Sequence, residues 1–137
     1  MSQRRLNLRQ LRAVMASIPF NASLGIRVAR VHADGVTIEC PVRDDLRNRS
    51  GVLHGGVTAT LADVAVGVAL SRHFGNQRPA TTAEIKVNYF RPVAAGKVVA
   101  RARLLRVGSH LCVGQVDLFD SEKNRVGVAL VTYMLLG

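Results

Sequence analysis

Apolar positions change their spacing along the chain, and each change marks a new element. Leu8, Leu11, Met15 and Ile18 recur at helical intervals, which predicts an amphipathic N-terminal helix over about residues 6 to 18, ending before Pro19. From Leu24 to Val31 and from Val36 to Val42 the apolar positions alternate instead, on either side of Asp34-Gly35, a dipeptide suited to the positive-φ turn of a hairpin. A polar loop from Arg43 to Ser50 leads to a segment rich in Ala, Leu and Val. It predicts a long helix from about His54 to His73, with Gly75 placed to stop it. Beyond Pro79 alternation returns, giving strands over about 81 to 90, 96 to 107, 110 to 119 and 126 to 136. Pro92 with Gly96, Gly108-Ser109, and Asp120-Ser121 with Lys123-Asn124 separate them. Helix, two strands, long helix, four strands is the order of an α+β chain, in which an antiparallel sheet wraps a central helix.

Length and composition keep this within one domain, 1–137. The 137 residues are 48% hydrophobic and 20% charged, so the chain can bury a core without disulfides or metal. The longest apolar run, Leu61 to Leu70, is interrupted by Asp63 and falls short of the roughly 20 residues that span a bilayer. The Arg-bearing N-terminus lacks the apolar block and cleavage site of a signal peptide, so a cytoplasmic location is expected. Cys40 and Cys112 lie far apart in alternating segments, where small buried hydrophobes are the ordinary reading. No CxxC or paired His/Cys spacing suggests a metal site, and none is expected.

Charge adds a question. The net charge is +10, and between Glu84 and Asp117 there is no acid, only Lys86, Arg91, Lys97, Arg101, Arg103 and Arg106. Such a band suits a polyanion. Readers of single-stranded nucleic acid interleave cations with aromatic platforms, whereas this chain has no Trp, two Tyr and four Phe, so no specific nucleic-acid partner is expected. Two readings remain: a solvated face, which suits Arg101 and Arg103 on one side of a strand, or guanidinium forks docking a phosphorylated ligand.

Candidate chemistry concentrates on the long helix. At 100° per residue Val57, Leu61, Val64, Ala65 and Val68 form one stripe, expected to face the sheet. Asp63 falls outside it, sharing its face with Ala59, Thr60 and Gly67, small residues that leave room for close approach. A carboxylate there either reaches solvent at the stripe's edge or sits in a cleft as a general base or nucleophile. Asn48-Arg49-Ser50-Gly51-Val52-Leu53-His54-Gly55-Gly56 leads into the helix. Its glycines are either a permissive turn or a source of free amides at the positive end of the dipole, suited to an oxyanion or phosphate. His54 and Asp63 are nine residues apart, hence about 13 Å along an ideal helix and on nearly opposite faces. If both serve one site, the Gly-Gly turn of one chain must meet Asp63 of another across a two-fold interface.

His54-Gly55-Gly56, Leu61-Ala62-Asp63, and Tyr89-Phe90-Arg91-Pro92 followed by Gly96 resemble the hotdog-fold acyl-CoA thioesterases of the PaaI-like (4HBT) type, and the resemblance runs over most of the chain. It implies the hotdog fold, homodimers joined into one continuous sheet with sites at the interface, and dimers often paired into tetramers. It also implies that acyl-coenzyme A (acyl-CoA) is hydrolysed without a cofactor. Position by position, Asp63 resembles the catalytic carboxylate and the Gly55 N–H the oxyanion donor. Asn48 is similar in placement to the asparagine that positions water or thioester, Thr82 to the hydroxyl residue that orients the water, and His54 to a residue shaping the turn. Gly56, Arg91, Arg106, Gly108 and Ser109 are the positions where contact with the CoA portion is implied.

Two other classes compete. A non-catalytic acyl-CoA sensor of the same fold needs no hydrolytic carboxylate, and a hotdog dehydratase needs a differently spaced Asp/His pair than any in this chain. His32, His73 and His110 stand apart from other ligand-type residues and read as ordinary histidines. Arginines on the N-terminal helix allow a membrane contact, but packing within the fold or across the dimer is the favoured reading. With Phe20, Phe74, Tyr89 and Phe90 as the main aromatics, neither an aromatic nor an aliphatic acyl group is singled out.

Overall fold

The computed structural model describes residues 4–137. At its N-terminal end Asn7 and Gln10 cap helix α1 (Leu8–Ala16) reciprocally, each side chain accepting from the other's backbone N–H at 2.9 Å. The helix is shorter than its periodicity predicts. Pro19 cannot continue it but opens a second short helix, α2 (Pro19–Ser23), where its missing N–H costs nothing. Leu11 and Met15 of α1 are buried in the core, and Arg12 Nε donates to the Val28 carbonyl at 3.0 Å. The apolar face of α1 is therefore spent on the protein's own body, as the packing reading expects.

Strands β1 (Arg27–His32) and β2 (Gly35–Pro41) form the expected hairpin, with His32 opposite Gly35. Gly35 is needed for another reason than the one its sequence context suggests, because its φ is not positive. It lies where β4 crosses closest, and a Cβ there would sit 1.9 Å from the Ala102 carbonyl oxygen. A 3₁₀ turn (Asp44–Leu46) precedes the long helix α3 (Gly55–His73), and the chain leaves that helix through Gly75 at φ +60°.

Four strands complete the order: β3 (Ala80–Tyr89), β4 (Lys97–Val107), β5 (Leu111–Phe119) and β6 (Arg125–Leu135). All pair antiparallel in one curved six-stranded sheet, β1-β2-β4-β5-β6-β3, with β1 and β3 at its edges. The core lies between the sheet and α3. The deepest helical positions are Leu61, Ala62, Ala65, Val66 and Ala69, so the buried stripe is rotated from the predicted one, and Val57 and Val64 are only partly buried. Where β5 passes over the helix it is the strand that supplies the small residue: a Cβ on Gly114 would be 2.7 Å from Val66 Cγ2. Asp63 lies away from this stripe, where the β6–β3 end of the sheet curls round the helix. Among the described residues no helix is long and apolar enough to cross a membrane.

Candidate active site

Thr82 and Tyr133 stand opposite each other across β3 and β6, and both side chains reach Asp63. Thr82 Oγ1 donates to Asp63 Oδ1 at 2.7 Å. The Tyr133 hydroxyl lies 2.8 Å from the same Oδ1 and 2.9 Å from the Asp63 backbone carbonyl. Among the described residues no hydrogen bond reaches Oδ2. Asp63 is therefore only partly exposed and held at one oxygen, which matches the cleft reading better than a carboxylate at a solvated edge. Register skips one residue between Thr82 and Glu84, a bulge of the kind that re-aims side chains beside functional sites.

Gly67, one helical turn beyond Asp63, makes room for this arrangement. A Cβ there would stand 2.7 Å from the Tyr133 hydroxyl. The space noted around Asp63 in the sequence is thus occupied by the chain's own phenol. Burial pushes the Tyr133 phenol far above its ordinary range, and the neighbouring carboxylate adds to the shift, so the group keeps its proton as a donor. Tyr133 has no motif around it. Only its opposition to Thr82 marks it, and that is a property of strand pairing.

At the helix start His54 is the N-cap, with its Nδ1 accepting from the Gly56 N–H at 2.8 Å. Accepting at Nδ1 leaves Nε2 as the ring nitrogen that can donate. The Gly56 amide is thereby engaged by His54. The Gly55 N–H makes no hydrogen bond among the described residues, while the Gly55 carbonyl accepts from the Tyr89 hydroxyl. A free amide at the positive end of a 19-residue helix suits developing negative charge.

Asn48 builds the loop ahead of this turn. Its Oδ1 accepts from Ser50 N at 2.9 Å and Val52 N at 3.2 Å, so only its amide nitrogen is left for a ligand. Leu53 N donates to Val93 O and His54 N to Leu46 O, which ties the loop to its surroundings. Within one chain the predicted residues form two groups. Asp63 and Thr82 meet, Asn48 to Gly56 cluster at the helix start, and edge strand β3 touches both, through Thr82 and Tyr89.

The basic band separates in a similar way. Arg101 is paired with Asp34 at 2.6 Å, Arg103 lies 3.8 Å from Asp117, and Lys97 bonds Glu39 at 2.9 Å. Acids distant in sequence are brought alongside by strand register, since Arg101 faces Asp117 across β4 and β5. These residues are neither a free phosphate dock nor a merely solvated face. Arg91 and Arg106 are exposed and in no ion pair among the described residues. Arg106 adjoins the β4–β5 turn, where Gly108 N donates to Leu111 O and Ser109 Oγ meets His110 Nδ1 at 3.0 Å. Cys40 and Cys112 are buried and unpaired, and burial raises the Cys40 thiol to about 11.

A cleft of about 280 Å³ opens between α1 and α3, one to two helical turns from Asp63. Leu11, Met15, Val64, Gly67, Val68 and Tyr133 contribute to its walls.

Comparison with known proteins follows the same lines. The family described as the thioesterase superfamily matches residues 50–126, from the loop before the helix to the last strand. The medium/long-chain acyl-CoA thioesterase YigI of Escherichia coli K12 is 30% identical over 86% of each chain. Mouse acyl-coenzyme A thioesterase 13 is 32% identical over 92% of this chain and 91% of its own. The crystal structure of thioesterase HI1161 from Haemophilus influenzae is similar with a TM-score of 0.90 at 28% identity, covering 99% of this chain and 94% of that one. A family match over more than half of the chain, joined to a long helix wrapped by a curved antiparallel sheet, places the protein in the thioesterase superfamily, with its hotdog fold.

Proposed function

We propose that this protein hydrolyses acyl-CoA thioesters to a free carboxylic acid and CoA, with Asp63 as general base. The observation that carries the reading is the Asp63 carboxylate, held at Oδ1 by Thr82 and Tyr133, with no hydrogen bond at Oδ2 among the described residues and with Tyr133 shared between the acid and the cleft wall. The names of the relatives, acyl-CoA thioesterases among them, support the substrate class.

In this reading water loses a proton to Asp63 Oδ2 as its oxygen attacks the thioester carbonyl. The resulting oxyanion is met by a free Gly55 N–H, and collapse of the tetrahedral intermediate breaks the C–S bond. The departing thiolate takes the proton from Asp63, which restores the carboxylate. A positioned base is worth about 10² to 10⁴ in rate and an oxyanion donor roughly 3 to 4 kcal/mol. Asn48 and His54 shape the donor turn, and the cleft between α1 and α3 receives the acyl group. Arg91 and Arg106, with the turn at Gly108 and Ser109, meet the phosphates of CoA.

Asp63 and Gly55 lie eight residues apart on one helix, about 12 Å along its axis, so one carbonyl cannot touch both in the same chain. Two chains solve this. Among the described residues the outer edge of β3 has no partner strand, and Ile85, Tyr89 and Phe90 on and beside it are exposed. Antiparallel pairing of this edge with its two-fold mate continues the sheet and brings the helix start of one chain toward Asp63 of the other. Pairs of such dimers form the tetramer.

Release of free thiol from a panel of acyl-CoAs tests the reading. Asp63→Asn is expected to lower kcat at least 100-fold. Wild-type turnover in that variant overturns the mechanism, and tight binding of an acyl-CoA without any cleavage establishes the sensor class instead.

A further inference from the structure

We infer that Tyr133 is a positioning residue for Asp63, holding the carboxylate so that Oδ2 faces the substrate; the inference rests on the hydrolytic reading above. A carboxylate held by one hydroxyl pivots about that bond. Two donors arriving from different strands fix its plane. Thr82 and Tyr133 supply both at Oδ1, at 2.7 and 2.8 Å, and the phenol is steadied further by lying 2.9 Å from the Asp63 backbone carbonyl.

Three independent features of the chain converge on this geometry. Thr82 and Tyr133 are direct partners in the β3–β6 register, so one pairing brings both hydroxyls to the helix, and a slip of one residue would turn the strand's side chains to the opposite face. Gly67 has no side chain where any Cβ would meet the phenol oxygen at 2.7 Å. The bulge between Thr82 and Glu84 lets β3 resume its pairing immediately after the contact. Burial keeps the phenol protonated, hence able to donate. Tyr133 is partly buried against the core, so its ring is braced by packing while its hydroxyl holds the acid.

Misplacing a reacting group by about 1 Å costs on the order of 100-fold in rate. Tyr133→Phe keeps the ring and removes only the hydroxyl. It is expected to lower kcat about 10- to 100-fold, with KM for the same acyl-CoA within about twofold, because the ring that contributes to the cleft wall is kept and the CoA contacts lie elsewhere. Since orientation needs both anchors, Thr82→Val should cost a similar factor, and the double variant no more than about threefold beyond the weaker single. Gly67→Ala retains the phenol but displaces it, so it should show the same kcat loss and serves if Tyr133→Phe folds poorly. Unchanged kcat in Tyr133→Phe, a loss expressed in KM alone, or losses that multiply in the double variant would each overturn the proposal. Asp63→Asn measured alongside separates the two readings: activity that survives it removes the carboxylate mechanism, whereas dependence on Asp63 with indifference to Tyr133 removes only this inference.

Discussion

The Tyr89 hydroxyl donates to the Gly55 carbonyl, tying the last residue of the edge strand to the first residue of the long helix. That bond holds the Gly55–Gly56 peptide plane, whose N–H donates to His54, and so steadies the peptide next to the one that carries the free Gly55 N–H. Tyr89→Phe is expected to lower kcat about 3- to 10-fold through a looser donor turn. Steady-state kinetics with a thiol-detecting assay would show this, and circular dichroism would show an intact fold.

Among the described residues Lys86, Arg91 and Arg106 carry the charge left unpaired in the basic band, and Arg91 and Arg106 are the two assigned to CoA. Replacing either by Ala should raise KM for acyl-CoA several-fold and flatten its dependence on salt. A short thioester lacking the nucleotide should be hydrolysed as before. Arg101→Ala, which breaks an ion pair with Asp34, should leave the KM for acyl-CoA within about twofold. A KM unchanged in both of the first two variants would remove these residues from the CoA-binding surface.

His32 gives stability a pH dependence with a definite sign. Its ring nitrogen lies 2.7 Å from Thr37 Oγ1, and burial lowers its pKa, with repulsion from Arg101 next, then Arg30 and Arg72, opposed by Asp34. Protonation therefore favours the unfolded chain. The contribution of the neutral ring is complete above the ordinary histidine value of about 6.5 and is lost as pH falls through the lower folded value. Thermal melts from pH 7.5 to 5 should show Tm declining in the parent protein, and declining less in His32→Gln.

Gly35→Ala places a Cβ 1.9 Å from the Ala102 carbonyl oxygen, and backbone has no easy way to yield. Separation of β2 from β4 at that point should cost about 2 kcal/mol or more. Urea unfolding should report a lower midpoint, and a midpoint within error of the parent would show that the two strands can part freely.

The first and the long helix, the six strands and their order were legible from periodicity, because alternation and helical spacing record which face of a local segment is buried, whereas the five-residue α2 is too short to show a period. Pro19, Gly75 and the polar turns marked boundaries for equally local reasons, namely the missing N–H of proline and the positive φ open to glycine. Asp63, Gly55 and His54 stood out because an acid and a glycine pair are anomalous in an apolar helix. Tyr133 did not stand out. Its partner Thr82 lies 51 positions earlier, and only the β3–β6 register joins them. The same holds for the pairing of Arg101 with Asp34, for the capture of the Gly56 amide by His54, and for Gly35, whose neighbour arrives from β4. Each depends on the distance between atoms remote along the chain, which no local pattern encodes and which packing alone sets.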